Sequence, residues 1–153
     1  MEAMKLIGLR KFALKILFVL FIPIVLPANL LEVYSVISCN SRPDNSYFIN
    51  KFIKDYGNPI RNAEGALWFK GKGEMYGSPI REFFVSSTKG LSFVGVVLEN
   101  SPPFVVDKIV SAPLFPTNVM VNGDYWVGSD GRSIMWHQGY YTKIFCSVSA
   151  SPQ

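Results

Sequence analysis

One apolar run near the start of the sequence constrains this chain more than any other feature. Residues 16–31 read ILFVLFIPIVLPANLL and carry no charge, while residues 1–15 hold four basic side chains and one acidic one. A basic flank followed by an apolar stretch is typical of a segment that enters a membrane with its basic end in the cytoplasm. We therefore expect residues 1–15 to be a cytoplasmic flank and the domain that follows the apolar segment to lie on the outer side of a bacterial inner membrane.

Three fates of residues 16–38 are consistent with the sequence. The leading prediction is a single-pass membrane anchor, because the apolar run continues with one charged residue as far as Ile37. A second is a signal peptide cleaved after Ser35 or Ser38, which gives a secreted or periplasmic protein. In the third, the sequence V-I-S-C that ends at Cys39 is a bacterial lipobox, and the acylated cysteine becomes the new N-terminus of a lipoprotein.

The remaining residues suffice for one folded domain. Residues 39–46 are polar and predict a linker, and residues 47–153 predict a single extracytoplasmic domain. At its start Phe48, Phe52 and Tyr56 recur at helical spacing, with an Asp-Asn-Ser run before them and a Gly-Asn-Pro stop behind. These signals predict one amphipathic helix.

Short segments with strand character follow, each bounded by turn residues. The predicted strands are 66–70, 80–88, 91–99, 104–110, 117–121, 124–127, 132–137 and 140–148. Asn122-Gly123 is the strongest hairpin signal, and we expect a crossover at residues 111–116. The predicted fold class is therefore α+β: a transmembrane or signal helix, one amphipathic helix, and a mainly antiparallel meander or sandwich of about 6–8 short strands.

The chain has two cysteines, Cys39 and Cys146. In an oxidising compartment they predict a disulfide, which would exclude lipidation of Cys39. The alternative is a lipidated or free Cys39 at the membrane and a buried, unpaired Cys146. Alternation in the last predicted strand puts Ile144, Cys146 and Val148 on one side, so we expect Cys146 to face the core.

Aromatic side chains concentrate near the C-terminal hairpins, and such residues are frequent at recognition surfaces. The five that form a candidate partner surface are Tyr125, Trp126, Trp136, Tyr140 and Tyr141. A shared face of aromatic residues is more often part of a core, so both interpretations stay open.

No catalytic, cofactor-binding or metal-binding motif stands out. His137 is the sole histidine, so a Ser-His-Asp or Cys-His mechanism would have to use it. The glycines around Lys72 lack the spacing of a phosphate loop, and the acidic residues are dispersed. We expect no cofactor. Because most of the excess positive charge lies in residues 1–15, we also expect no nucleic-acid partner.

Together these observations predict a membrane-tethered envelope protein, most simply an accessory or protein-binding module without catalysis of its own. One alternative is a small extracytoplasmic hydrolase that uses His137 or carboxylates brought together by the fold. Another is a small-ligand carrier with an apolar cavity inside a curved sheet.

Overall fold

The computed structural model describes residues 28–111, 119–122, 125–128 and 131–149. The basic flank and residues 16–27 of the apolar run lie outside this part of the chain. In chain order the described elements are α1 (Ala28–Ile37), α2 (Asn45–Tyr56), β1 (Arg61–Ala63), β2 (Ala66–Lys70), β3 (Glu74–Met75), β4 (Ser78–Ser86), β5 (Leu91–Leu98), α3 (Pro102–Ser111), β6 (Val119–Asn122), β7 (Tyr125–Gly128), β8 (Ser133–His137) and β9 (Tyr141–Ser149).

The strands form an antiparallel sheet in the order β1-β2-β4-β5-β9-β8-β7-β6, and the two-residue β3 pairs with β4. The α+β class and the mainly antiparallel sheet are thus confirmed. The central pairing joins β5 to β9, and it runs from Leu91 opposite Ser149 to Leu98 opposite Thr142. This long pairing holds the N-terminal hairpins and the C-terminal meander in one sheet.

The main core lies between the three described helices and one face of the sheet. It includes side chains from α1, α2 and α3 together with alternate residues of the strands. The fully enclosed strand residues of this core include Phe69, Phe83, Val85, Val94, Val96, Leu98, Ile134 and Ile144. Because side chains alternate along a strand, the residues between them point to the opposite face.

Helix α1 is formed by the C-terminal part of the predicted membrane segment, and it packs in this core. Val33, Val36 and Ile37 are fully buried, and Leu30 is nearly so. It packs mainly against β5 and β9. In the described residues no helix is both long and apolar enough to cross a membrane.

The one charged residue of α1 is held by α2. Glu32 Oε2 accepts a 2.7 Å hydrogen bond from Tyr47 Oη and lies 3.1 Å from Lys51 Nζ. The hydrogen bond from Tyr47, more than the Lys51 contact, holds the pKa of the Glu32 carboxyl below its usual value. The charge that interrupts the apolar run thus marks the solvent side of a helix that packs against the domain.

The predicted amphipathic helix is confirmed as α2. Asp44 caps it, since Asp44 Oδ1 accepts a 3.0 Å hydrogen bond from the Tyr47 amide. Gly57 ends it with φ of 89°, in the left-handed region that favours glycine. Phe48 and Phe52 are buried against the sheet.

The prediction of a strand at residues 104–110 is wrong, because this segment is helix α3. The Val105 amide donates to the Ser101 carbonyl at 3.2 Å, which begins a helix whose first residue is Pro102. Proline is favoured at the first position of a helix, because the amide hydrogen that it lacks would have no partner within the helix. Val105 and Ile109 are both fully buried, four residues apart on one helical face.

The other predicted strands that fall on described residues are observed with small shifts at their ends, and the sequence missed the short β1 and β3. Asn122 pairs with Tyr125 across β6 and β7, around the predicted hairpin. Gly123 and residues 112–116 of the predicted crossover lie outside the described residues.

Candidate functional site

The sheet face away from the helices, called the open face below, carries a second cluster of buried side chains. Ala66, Trp68, Phe84 and Val97 form it, and no residue of the described helices belongs to it. Trp68 is only 1% exposed, and its indole N–H donates to the Ala63 carbonyl at 3.0 Å. The open face therefore carries a layer of aromatic side chains. The solvent-facing side of an antiparallel sheet more commonly carries polar residues.

Curvature of the sheet brings distant strands together on the open face. On a flat sheet the four steps from β2 to β8 would separate these strands by roughly 19 Å. Nevertheless, the rings of Trp68 and His137 stack with their centroids 5.7 Å apart. The sheet thus curls towards the open face, which becomes concave.

Two ion pairs lie beside these aromatic rings. Arg61 donates two hydrogen bonds to the Glu82 carboxylate, at 2.5 and 2.8 Å, and its guanidinium lies 4.1 Å from the centre of the Trp68 ring. These hydrogen bonds hold the pKa of Glu82 below its usual value. Lys143 Nζ lies 3.6 Å from Glu64.

The ammonium group of Lys143 also lies over two aromatic rings. Its Nζ lies 4.8 Å from the centre of the Phe84 ring and 5.2 Å from that of Trp68. A cation at this distance is attracted by the negative face of an aromatic ring. Burial and, second, the charge of Lys143 lower the pKa of the His137 imidazole.

Next to this cluster the open face contains an apolar groove of about 260 Å³. The groove is lined by Glu64, Phe84, Leu91, Phe93, Lys143, Phe145 and Ser147. Phe93 and Phe145 are half-buried, and Leu91 is 40% exposed. The Lys143–Glu64 pair stands among these apolar side chains, so the groove offers apolar walls with one charge of each sign.

Gly95 explains how the groove keeps its shape. A Cβ at this position would lie 2.2 Å from Phe84 Cζ and 2.5 Å from the Ile144 carbonyl oxygen. The Phe84 ring therefore leans over the backbone of β5 in space that only glycine leaves. Phe93 and Phe145 flank Phe84, with ring centroids 6.0 and 6.2 Å from it.

In the structure, Cys39 and Cys146 are joined by a disulfide, with their Cα atoms 5.3 Å apart. Cys146 is 3% exposed on the same sheet face as Ile144, and Cys39 lies two residues after Ile37, the last residue of α1. The bond ties the end of α1 to β9.

The five aromatic residues proposed as a partner surface do not form one surface. Trp126 and Trp136 pack in the helix-covered core, whereas Tyr141 packs on the open face. Tyr140 is 75% exposed in the turn before β9. Tyr125 pairs with Met135 through the backbone, and its side chain lies outside the described part of the structure.

In the described part of the chain, no nucleophile is hydrogen-bonded to the buried Nε2 of His137. Among the described residues, its Nε2 is enclosed and has no hydrogen-bond partner. A nucleophile activated through Nε2 would have to lie within hydrogen-bond reach of that nitrogen. The nearby carboxylates, Glu64 and Glu82, are each paired with a basic side chain. Within the described ranges, His, Cys, Asp and Glu side chains form no group of three that could hold a metal ion.

The sequence interpretation missed the groove residues Phe93, Phe145 and Lys143. The available signal was alternation, since Lys143, Phe145 and Ser147 share one side of the last strand and an aromatic residue on the non-core side is unusual. The sequence could not show that Phe93 and Phe84, from β5 and β4, stand beside them.

Comparison with known protein families, with curated proteins and with solved structures finds no match to this chain. The geometry of the open face is therefore the main indication of function.

Proposed function

We propose that this chain is an extracytoplasmic binding module of a bacterial envelope, without catalysis of its own. Its groove on the open face holds an apolar side chain of a protein partner. The observation that carries this proposal is the pair of half-buried phenylalanines, Phe93 and Phe145, on a concave sheet face. Aromatic side chains in a partly enclosed site are the usual anchors of protein interfaces.

The size of the groove favours a single side chain over a whole ligand. Pockets that enclose small molecules span roughly 300–1,000 Å³, and this groove of about 260 Å³ is open to solvent. Apart from Glu64, which lies in the turn between β1 and β2, its lining comes from strands, and Phe84 is fixed by its packing over Gly95. A rigid apolar slot binds with little loss of conformational freedom, which supports recognition of a protruding apolar residue.

Two features support the extracytoplasmic location. The basic flank and apolar run have the composition of a segment that directs a chain to a membrane. A disulfide between Cys39 and Cys146 persists in an oxidising compartment and is rare in the bacterial cytoplasm.

Site-specific photocrosslinking tests the groove directly. Phe93 is replaced by p-benzoylphenylalanine in the full-length chain, which is irradiated in living bacterial cells. Because the replacement keeps an aromatic ring at the groove wall, we expect one discrete protein adduct. The same replacement at Ile53, which is 40% exposed on α2, is the control and should give no such adduct.

A groove variant separates specific docking from collision. Leu91→Glu puts a charge at the exposed wall of the groove and should abolish the adduct from position 93, with an unchanged circular dichroism spectrum. Equal adducts from positions 93 and 53, or an adduct that survives Leu91→Glu, would contradict the proposed docking. A lack of any protein adduct from position 93 would also contradict it.

A further inference from the structure

The position of α1 in the core limits where the leader of this chain can end. We propose that residues 1–28 are a signal peptide and that a membrane-bound signal peptidase cleaves the bond between Ala28 and Asn29. This processing rests on the extracytoplasmic location proposed above, and it adds that the mature domain is released from the membrane.

The core sets the downstream limit of the leader. A mature chain that begins after Ser35 would lack Leu30 and Val33, both buried against the sheet. Cleavage after Ser38, or at the lipobox before Cys39, would also remove Val36 and Ile37, so all four buried apolar side chains of α1 would be lost. Loss of each large buried apolar side chain costs about 2–5 kcal/mol, and four of them exceed the reserve of a small domain.

Cys39 gives a second argument against cleavage at the lipobox. Lipidation would join a lipid through a thioether to the sulfur that the structure joins to Cys146. A thioether sulfur has no thiol to oxidise, so it could not form the disulfide that ties the end of α1 to β9.

The same core shortens the segment that remains for the membrane. Because Leu30 is buried against protein, a span would have to end before it, and the uncharged run from residue 16 to residue 29 has 14 residues. As a helix this run would reach about 21 Å, against about 30 Å for the hydrocarbon core of a bilayer. The 12 apolar residues 16–27, behind a basic flank, match the central region of a signal peptide, which spans about 7–15 residues.

Ala28 is the residue at which such a leader would be cut. Signal peptidases read a small residue immediately before the cleaved bond, and between residues 14 and 34 the only Ala, Gly or Ser is Ala28. Leu26, three residues before the bond, is apolar but larger than the alanine of the common pattern. Ala28 is the first residue of α1, so cleavage leaves the buried side chains from Leu30 to Ile37 in the mature chain.

The test is expression of the full-length chain, with a C-terminal affinity tag, in a Gram-negative host. The protein is recovered from cytoplasmic, membrane and periplasmic fractions, and its N-terminus is determined by intact mass and by N-terminal sequencing. We expect a periplasmic protein that begins at Asn29. Ala28→Leu should abolish this species and leave the uncleaved chain in the membrane fraction, while Ala13→Leu, a matched change in the basic flank, should leave processing unchanged.

Other results overturn the proposal in distinguishable ways. An uncleaved wild-type chain in the membrane, with its domain open to protease from the periplasm, contradicts the cleavage site and leaves the extracytoplasmic binding function intact. A mature N-terminus at residue 36 or 39, or normal processing of Ala28→Leu, also contradicts the site. Retention of the whole wild-type chain in the cytoplasm contradicts both this processing and the proposed function.

Discussion

The imidazole of His137 stacks on the indole of Trp68, with ring centroids 5.7 Å apart and an angle of 25° between the rings. Three strands lie between β8 and β2 in the sheet order. This contact therefore depends on the curvature of the whole sheet, and it makes His137 a reporter of that curvature.

Acidification should destabilise the fold through His137. Because burial and Lys143 lower its pKa, the folded state holds the imidazole neutral while the unfolded chain takes up a proton below about pH 6.5. The free energy of unfolding should therefore fall as the pH is lowered through about 6.5, the pKa of the imidazole in the unfolded chain. Glu82, whose pKa is also lowered, contributes a separate loss below about pH 4.5.

Urea denaturation at several pH values checks this expectation. His137→Gln removes the titrating group and should flatten the dependence at about pH 6.5, with little effect on the loss below about pH 4.5, because His137 is the smallest of the causes that lower the pKa of Glu82. An equally steep dependence in the variant would show that another group is responsible.

Gly95→Ala should destabilise the domain by about 3 kcal/mol, the upper part of the range for overpacked cores. One of the atoms that an added methyl group would meet is the Ile144 carbonyl oxygen, which cannot rotate away. Chemical denaturation measures the difference. Gly90→Ala is the control, because at Gly90 an added Cβ meets nothing within 4 Å and only the left-handed backbone is strained. If Gly95→Ala proved as stable as Gly90→Ala, or more stable, that result would contradict the packing of Phe84 over Gly95.

Removal of the disulfide should lower the free energy of unfolding by about 4–5 kcal/mol in the chain-entropy view, because it closes a segment of 107 residues. The experiment compares the oxidised protein, the reduced protein and the Cys39→Ser/Cys146→Ser double variant. Reductant should destabilise the wild type and have no effect on the double variant. An equal stability of oxidised and reduced wild type would contradict the bond.

Much of the sheet could be predicted from sequence because turn residues bound its strands and because buried and more exposed side chains alternate along β9. Helix α2 was equally accessible, since Phe48 and Phe52 share a face between a capping Asp44 and Gly57. These signals act over a few residues, which is the range at which a pattern determines local structure.

The same local sequence patterns could not predict helix α3 or strand β1. Residues 104–110 are rich in β-branched side chains, which favour strands, and packing of Val105 and Ile109 against the sheet overrides that preference. Strand β1 has only three residues and exists through its pairing with β2. A stronger signal for α3 was the Ser-Pro-Pro start, which is typical of a helix N-terminus.

The site was less predictable than the fold because it joins residues from several strands. Local alternation puts Lys143 and Phe145 on one side of β9, but pairing of β5 with β9 is needed to bring Phe93 beside them, and curling of the sheet is needed to bring Glu64 to Lys143. Likewise, the sequence of α1 is compatible with a membrane or a protein core. The spacing of Leu30, Val33 and Ile37, with Glu32 between them, indicates one buried face in retrospect.

The proposed end of the signal peptide depends on the packing of α1 in the folded domain, and paired substitutions in α1 test this packing most directly. In the purified protein, Ile37→Ala should lower the free energy of unfolding by about 3 kcal/mol because Ile37 is fully buried. Leu31→Ala, at a side chain that is 63% exposed, should change it by less than about 0.5 kcal/mol. Equally small effects of both substitutions in urea denaturation would contradict the packing of α1 against the sheet.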